Sequence, residues 1–206
     1  HDQIGNRALG ERLGQLTDEG MLRVMTAILL LSPQVPMVFM GDEYGETQPF
    51  LFFSDYEGEI AEKTWLNRFA EAQHFGGVPD GVTKPEDMAD PNDPALFLRS
   101  KLQRQPGSDR QAAARKWFGE LTAKRREHVV PGLKNVPPHS GKTLIDAPDA
   151  IAIDWQLADR RLQLRANFAD AARDLPPVEG EVIHREVAQG DGAKLAPGSM
   201  VFAVAS

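Results

Sequence analysis

The chain has 206 residues, no cysteine, 41% hydrophobic and 26% charged residues, and a net charge of −7. That composition belongs to a globular protein of one or two domains. The acidic balance argues against nucleic acid or an anionic membrane surface as partner, since both require clustered Lys and Arg. The missing thiol excludes disulfides and a cysteine nucleophile, and no apolar run approaches the roughly 18 residues needed to span a bilayer. A soluble, cytoplasmic protein is expected.

The first thirteen residues read HDQIGNRALGERL. A polar pair such as His1-Asp2 usually sits at the end of a strand inside a site. Opening on it predicts either a processed chain or the back part of a longer one. Thr17-Asp18-Glu19 then offers an N-cap and an acidic first turn, and Met21, Leu22, Met25, Ile28 and Leu29 recur at helical spacing up to about Leu31. This predicts a buried helix. After Ser32-Pro33 comes VPMVFM, a continuous apolar run at residues 35–40 ended by Gly41. Such a run suits a strand covered on both faces, as in a parallel sheet.

The next stretch, GDEYGETQPFLFFSDYEGE, reads as a long loop rich in acids and aromatics. At the end of a parallel strand such loops bind ligands, although Phe50, Phe52 and Phe53 can equally fold back onto the core. A helix is predicted from Ile60 to about Phe75, with Trp65, Leu66 and Phe69 as buried positions. Residues 76–94, rich in Gly, Pro and Asp, predict a surface excursion. Within it, DPNDP is a turn: a proline and a missing glycine break the calcium-loop pattern. A third helix is predicted over about 109–128, with Ala113, Ala114, Trp117, Phe118 and Leu121 on its apolar face. Lys124-Arg125-Arg126 near its end complements the helix dipole.

From about residue 140 the texture changes. AIAIDWQL, RRLQLRANF, EVIHREV and MVFAVAS alternate with a period of two, and the first two predict a hairpin around Ala158-Asp159-Arg160. The expected architecture is α/β plus all-β, with a first part over 1–135 and a small antiparallel β-sandwich over 136–206. One parallel strand and three helices are too few to close a sheet, since a (β/α)8 barrel needs eight strands. Residues 1–135 therefore read as the last units of a larger α/β domain.

Three motifs fail. HSGKT at 139–143 lacks the first glycine of a phosphate-binding loop. The five histidines, at 1, 74, 128, 139 and 184, show no zinc-ligand spacing. No G-x-S-x-G elbow occurs. Neither a metal nor a cofactor is expected.

HDQIGNRALGERL resembles the segment around the third catalytic carboxylate of the α-amylase superfamily, where an Asn-His-Asp motif ends barrel strand seven. Together with PMVFMGDEYGETQPFLFFSDYEGEI and DPALFLRSKL it resembles, within that superfamily, the maltooligosyltrehalose trehalohydrolases. The resemblance implies a (β/α)8 TIM barrel followed by a C-terminal β-sandwich, with VPMVFM as strand eight. It implies a retaining glycosidase that hydrolyses the α-1,4 bond beside the terminal trehalose unit of its maltooligosaccharide-type substrate.

Retention requires a nucleophile and an acid about 5–5.5 Å apart. The resemblance places both on earlier strands, outside these 206 residues. It makes Asp2 the third acid, a transition-state stabiliser, and His1 its neighbour on the same sugar. Gln3, Asn6 and Arg7 follow as candidates for trehalose subsites, although Arg7 or Arg12 can equally pair with Glu11 or a neighbouring strand. Asp42, Glu43 and Tyr44 fall on the catalytic face by topology, and Phe50, Phe52 or Tyr56 can stack on pyranose faces. Alone, the chain is expected to catalyse nothing and to self-associate through uncovered barrel surface. The competing readings are a fragment of a glycogen branching or debranching enzyme, and a non-catalytic carbohydrate-binding module. Trp155 is the only Trp of the β part, which argues little for the module.

Overall fold

The computed structural model describes residues 4–103, 107–187 and 193–206. The described helices are α1 (Leu13–Leu16), α2 (Glu19–Leu31), α3 (Gly58–His74), α4 (Pro94–Arg99) and α5 (Asp109–Lys124). The strands are β1 (Gly141–Ala147), β2 (Ala150–Gln156), β3 (Arg161–Asn167), β4 (Arg173–Asp174), β5 (Glu181–Glu186), β6 (Lys194–Leu195) and β7 (Ser199–Ala205). The chain divides into two compact units, one of His1–Leu16 with Val38–Arg115, the other of Thr17–Met37 with Lys116–Ser206.

The second unit is built on antiparallel sheets. Five strands in the order β1-β2-β3-β7-β5 form one, and β4 with β6 forms the other. The predicted hairpin is present: Gln156 pairs with Arg161, and the Leu157 N–H donates to the Arg160 carbonyl at 2.8 Å. Ala150, Val201 and Ala203 of the large sheet form one core cluster with Leu175, Val178 and Leu195. Register places Trp155, Leu162, Leu164, Met200 and Phe202 on the opposite face, where the Trp155 and Phe202 rings stack with centroids 6.4 Å apart. Helix α2 packs against β7 and β5. Gly180 is required where it stands: its φ is +79°, and a Cβ there would lie 2.2 Å from the Val204 carbonyl oxygen.

Helix α2 begins as expected, with the Asp18 carboxylate accepting from the Met21 N–H at 2.9 Å. Its buried stripe differs from the expected one. Val24, Ala27, Leu30 and Leu31 are buried, whereas Met25 and Leu29 are exposed. The helix is apolar on more than one side, so spacing alone does not choose which stripe meets the sheet. Arg125 also differs: instead of complementing the end of its own helix, it donates to the carbonyls of Leu30 (2.8 Å), Ser32 and Gln34 (2.8 Å), capping α2. The helix expected over 109–128 is α-helical to Lys124 and continues as a π turn, Arg125–Val129. Leu121 is buried on it, but Ala113 is exposed.

The strand expected at 35–40 is not formed. These residues carry no ladder partner among the described residues, and Val35, Met37 and Met40 are exposed. A central parallel strand takes its hydrogen bonds from neighbours on both edges, and no described strand runs beside this segment.

In the first unit, α3 forms where helix was expected, yet Trp65, Leu66 and Phe69 are half-buried while Arg68 and Ala72 are fully buried. The Trp65 indole N–H donates to the Met88 carbonyl at 2.7 Å, holding the 76–94 excursion against α3. Within DPNDP, Asn92 accepts from the Ser54 hydroxyl and the Tyr56 N–H, and Asp93 caps α4. The turn also starts a helix that the sequence reading did not include.

Candidate active site

The site begins with a backbone fit. Gly10 adopts a φ of +69°, and the Phe50 N–H donates to its carbonyl at 2.8 Å. A Cβ on Gly10 would lie 2.8 Å from the Phe50 carbonyl carbon and oxygen, so no other residue fits without displacing backbone. The segment 4–16 is thereby held beside the start of the aromatic stretch.

Arg12 then ties this segment to residues 40–48. Its Nε donates to the Gln48 carbonyl at 2.8 Å, and its Nη1 donates to the Met40 carbonyl at 3.0 Å and to Asp42 Oδ1 at 3.1 Å. The side chain is 2% exposed, and its Nη2 has no hydrogen-bond partner among the described residues. Burying a guanidinium is costly unless its donors are met, so three directed acceptors on one loop define a specific geometry.

A buried anion holds the same loop from within. Glu46 Oε1 accepts from the N–H groups of Thr47 (2.8 Å) and Gln48 (3.0 Å), and Oε2 accepts from the Tyr44 hydroxyl (3.0 Å) and the Gln103 N–H (2.9 Å). Burial pushes the Glu46 carboxyl up, but the Gln48 and Gln103 N–H bonds, the Tyr44 hydroxyl and the Thr47 N–H together hold it below the usual carboxylate range. For Asp42 the balance is reversed: burial raises its pKa, and the charge and hydrogen bond of Arg12 oppose that without cancelling it. Burial, then the bond to Glu46, raise the Tyr44 phenol.

His1, Asp2 and Gln3 lie outside the described residues. Arg7 donates to Glu11 at 3.2 Å, and its Nε and the other Glu11 oxygen are buried without a hydrogen-bond partner among the described residues. Glu43 accepts from the Gly41 N–H at 2.9 Å, folding back on its own turn. Phe50 is half-buried and packs edge-to-face between Phe39 (centroids 4.8 Å apart) and Phe53 (5.7 Å), with Phe97 beyond (5.3 Å from Phe53). Phe52 lies under the Arg68 guanidinium, 4.4 Å from the ring centre, whereas Tyr56 is exposed.

Glu46 and Arg68 escaped the sequence reading. Arg68 donates to the Asn6 carbonyl at 2.8 Å and pairs with Glu71. A signal existed for it: Arg68 falls on the helical stripe Trp65, Arg68, Ala72, where a charge is out of place on an apolar face.

The second unit carries a separate polar cleft of about 350 Å³, lined by Arg23, Trp117, Glu120, Lys124 and residues 182–186. At its floor Glu186 accepts from Arg23 Nε (2.9 Å) and Nη2 (3.0 Å), from the Trp117 indole (3.2 Å) and from His184 Nε2 (3.0 Å). Lys124 can only donate, so its 3.0 Å contact makes His184 Nδ1 the acceptor and leaves the ring proton on Nε2. Arg23 also stacks on Trp117, 4.3 Å from the ring centre. The cluster satisfies itself and closes α2 and α5 onto β5. Among the described residues no group of His, Asp and Glu could hold a metal ion, and no helix is long and apolar enough to cross a membrane.

A family model described as a domain of unknown function (DUF3459) matches residues 138–202. The chain is 34% identical to a malto-oligosyltrehalose trehalohydrolase of Brevibacterium helvolum over 98% of its own length and 32% of the relative's. It is 40% identical to one of Arthrobacter ramosus over 62% of the chain and 21% of the relative. A crystal structure titled as a putative alpha amylase from Salmonella typhimurium superposes on the whole chain with a TM-score of 0.85 at 36% identity, over 34% of that protein. The chain thus spans about a third or less of the length of these proteins.

Proposed function

We propose, from the premise that the chain resembles the malto-oligosyltrehalose trehalohydrolases of the α-amylase superfamily over nearly all of its length, that it is the C-terminal part of such a hydrolase. In this reading residues 1–135 are the last units of a (β/α)8 barrel in the cytoplasm. The parent enzyme cleaves the α-1,4 bond of maltooligosyltrehalose with retention and releases trehalose. The single observation that carries this is the match to the Brevibacterium helvolum relative across 98% of the chain.

The parts then have distinct roles. Asp2 binds sugar hydroxyls more tightly in the distorted, oxocarbenium-like state than in the relaxed ring, which lowers the barrier rather than merely improving binding. His1 donates to the same sugar. The loop over 40–48, with Asp42 half-exposed and Glu43 beside it, forms a wall of the site. Nucleophile and general acid are supplied by the remainder of the parent enzyme, so the 206 residues alone hydrolyse nothing.

The test is product analysis. Joined to the preceding barrel strands, the chain should release trehalose from maltooligosyltrehalose, and Asp2→Asn should lower kcat on the order of 100-fold or more. Chain transfer with little free disaccharide would instead identify a branching enzyme. Trehalose release by the 206-residue chain alone would refute the assignment of nucleophile and acid to another part.

A further inference from the structure

The loop over 40–48 is held by two buried ions of opposite sign, and both act on its backbone. Glu46 collects N–H groups from inside the loop and from Gln103. Arg12 comes from outside it, 28 residues before Met40 and 36 before Gln48, and its donors reach carbonyls at both ends of the loop. We infer that Arg12 is a positioning residue: it locks residues 40–48 into one conformation, so that the face carrying Asp42 and Glu43 is formed before a saccharide arrives. The inference deepens the proposed hydrolase reading and rests on it for its catalytic consequence.

Three observations separate a lock from ordinary packing. Arg12 is 2% exposed, so its hydrogen bonds do not compete with water. Its acceptors span the loop, from Met40 O through Asp42 Oδ1 to Gln48 O, so one guanidinium fixes both ends and one side chain between them. And the Gly10 carbonyl, two residues before Arg12, takes the Phe50 N–H, so the segment supplying the lock is itself docked on a residue two positions past the loop. A lysine cannot replace this arrangement, because a single ammonium lacks the fork that reaches separated acceptors. Preorganisation matters because a saccharide site that must first order its loop loses that ordering free energy from binding and from catalysis.

The experiment has two readouts. The first is amide hydrogen exchange of the 206-residue chain itself, comparing unsubstituted protein, Arg12→Lys and Arg12→Ala. Protection at Tyr44, Glu46 and Gln48 should fall roughly tenfold or more in Arg12→Ala, Arg12→Lys should recover only part of it, and the strands of the second unit should be unaffected. The second is trehalose release by the chain joined to the catalytic barrel strands. There Arg12→Ala should lose kcat on the order of 100-fold with KM changed far less, and millimolar guanidinium should restore part of kcat, as expected of a misplaced group rather than a misfolded one. Unchanged protection in Arg12→Ala overturns the lock whatever the activity does. Lost protection with an unchanged kcat overturns its catalytic role. An unsubstituted protein that releases no trehalose counts against the hydrolase reading, and the exchange result then decides the lock alone.

Discussion

Replacing Glu186 with Gln isolates one buried charge and tests whether it holds the second unit together. The carboxylate, 10% exposed, accepts four hydrogen bonds, from Arg23 twice, Trp117 and His184. Burial alone would raise its pKa, but the His184 and Arg23 bonds and the Arg23 charge bring it down from 4.5 to about 2. At about 1.36 kcal/mol per pH unit, that fall corresponds to about 3 kcal/mol of folding stability at neutral pH. The sign follows from the direction. A carboxyl depressed on folding stabilises fully above its unfolded pKa and loses that contribution as pH falls from 4.5 toward 2. Glu186→Gln should therefore cost about 2–3 kcal/mol at pH 7, read from urea unfolding followed by circular dichroism. The gap between the two proteins should close between pH 5 and pH 2, because the other carboxyls titrate alike in both. A gap that stays constant from pH 7 to pH 2.5, or one under about 0.5 kcal/mol at pH 7, would refute the reasoning.

Two further outcomes are expected. Arg165, 2% exposed, donates to the Pro176 carbonyl at 2.7 Å, the Leu164 carbonyl at 2.9 Å and Asp154 at 2.8 Å, so Arg165→Met should strand these acceptors and lower stability by about 3–5 kcal/mol, visible as an earlier urea midpoint. Val35 and Met37 are 92% and 85% exposed, so the 206-residue chain should show a weight-average mass in light scattering that rises with concentration, while Val35→Glu with Met37→Glu should flatten it; strictly monomeric behaviour of the unsubstituted chain would rule out association through this segment.

The difference between Arg165 and Val35 explains what a period-two or apolar pattern can and cannot carry. In RLQLRAN, alternation identifies strand β3 correctly and assigns Leu162, Leu164 and Ala166 to a core face. By the same rule Gln163, Arg165 and Asn167 should face water, yet all three are buried. The reason lies elsewhere in the chain. Residues 171–179 and 195–196 cross that face and present carbonyls to it: Glu179 to Gln163, Pro176 to Arg165, and Ala171, Leu195 and Ala196 to Asn167. A sheet face covered by irregular backbone is better filled by donors than by leucines, because every buried carbonyl needs a partner. Polarity in the sequence therefore reports what the residue meets, and only usually that it meets solvent.

VPMVFM makes the converse error. Its continuous apolarity suits a strand covered on both faces, but burial is a property of the pair, and no described strand lies beside it. Arg12 and Glu46 combine both limits. Local sequence gives little sign of their role, since most of their partners are main-chain groups that every residue carries: the Met40 and Gln48 carbonyls for Arg12, and the Thr47, Gln48 and Gln103 N–H groups for Glu46. What made the site region legible was the ordered resemblance of HDQIGNRALGERL and the aromatic stretch to a known family. The physical device that holds residues 40–48 became visible only once the backbone directions were known. A loop fixed by side chains reaching for backbone should tolerate changes along its exposed residues far better than changes at Arg12 or Glu46, because those two buried ions hold the Met40 and Gln48 carbonyls and the Thr47 and Gln48 N–H groups.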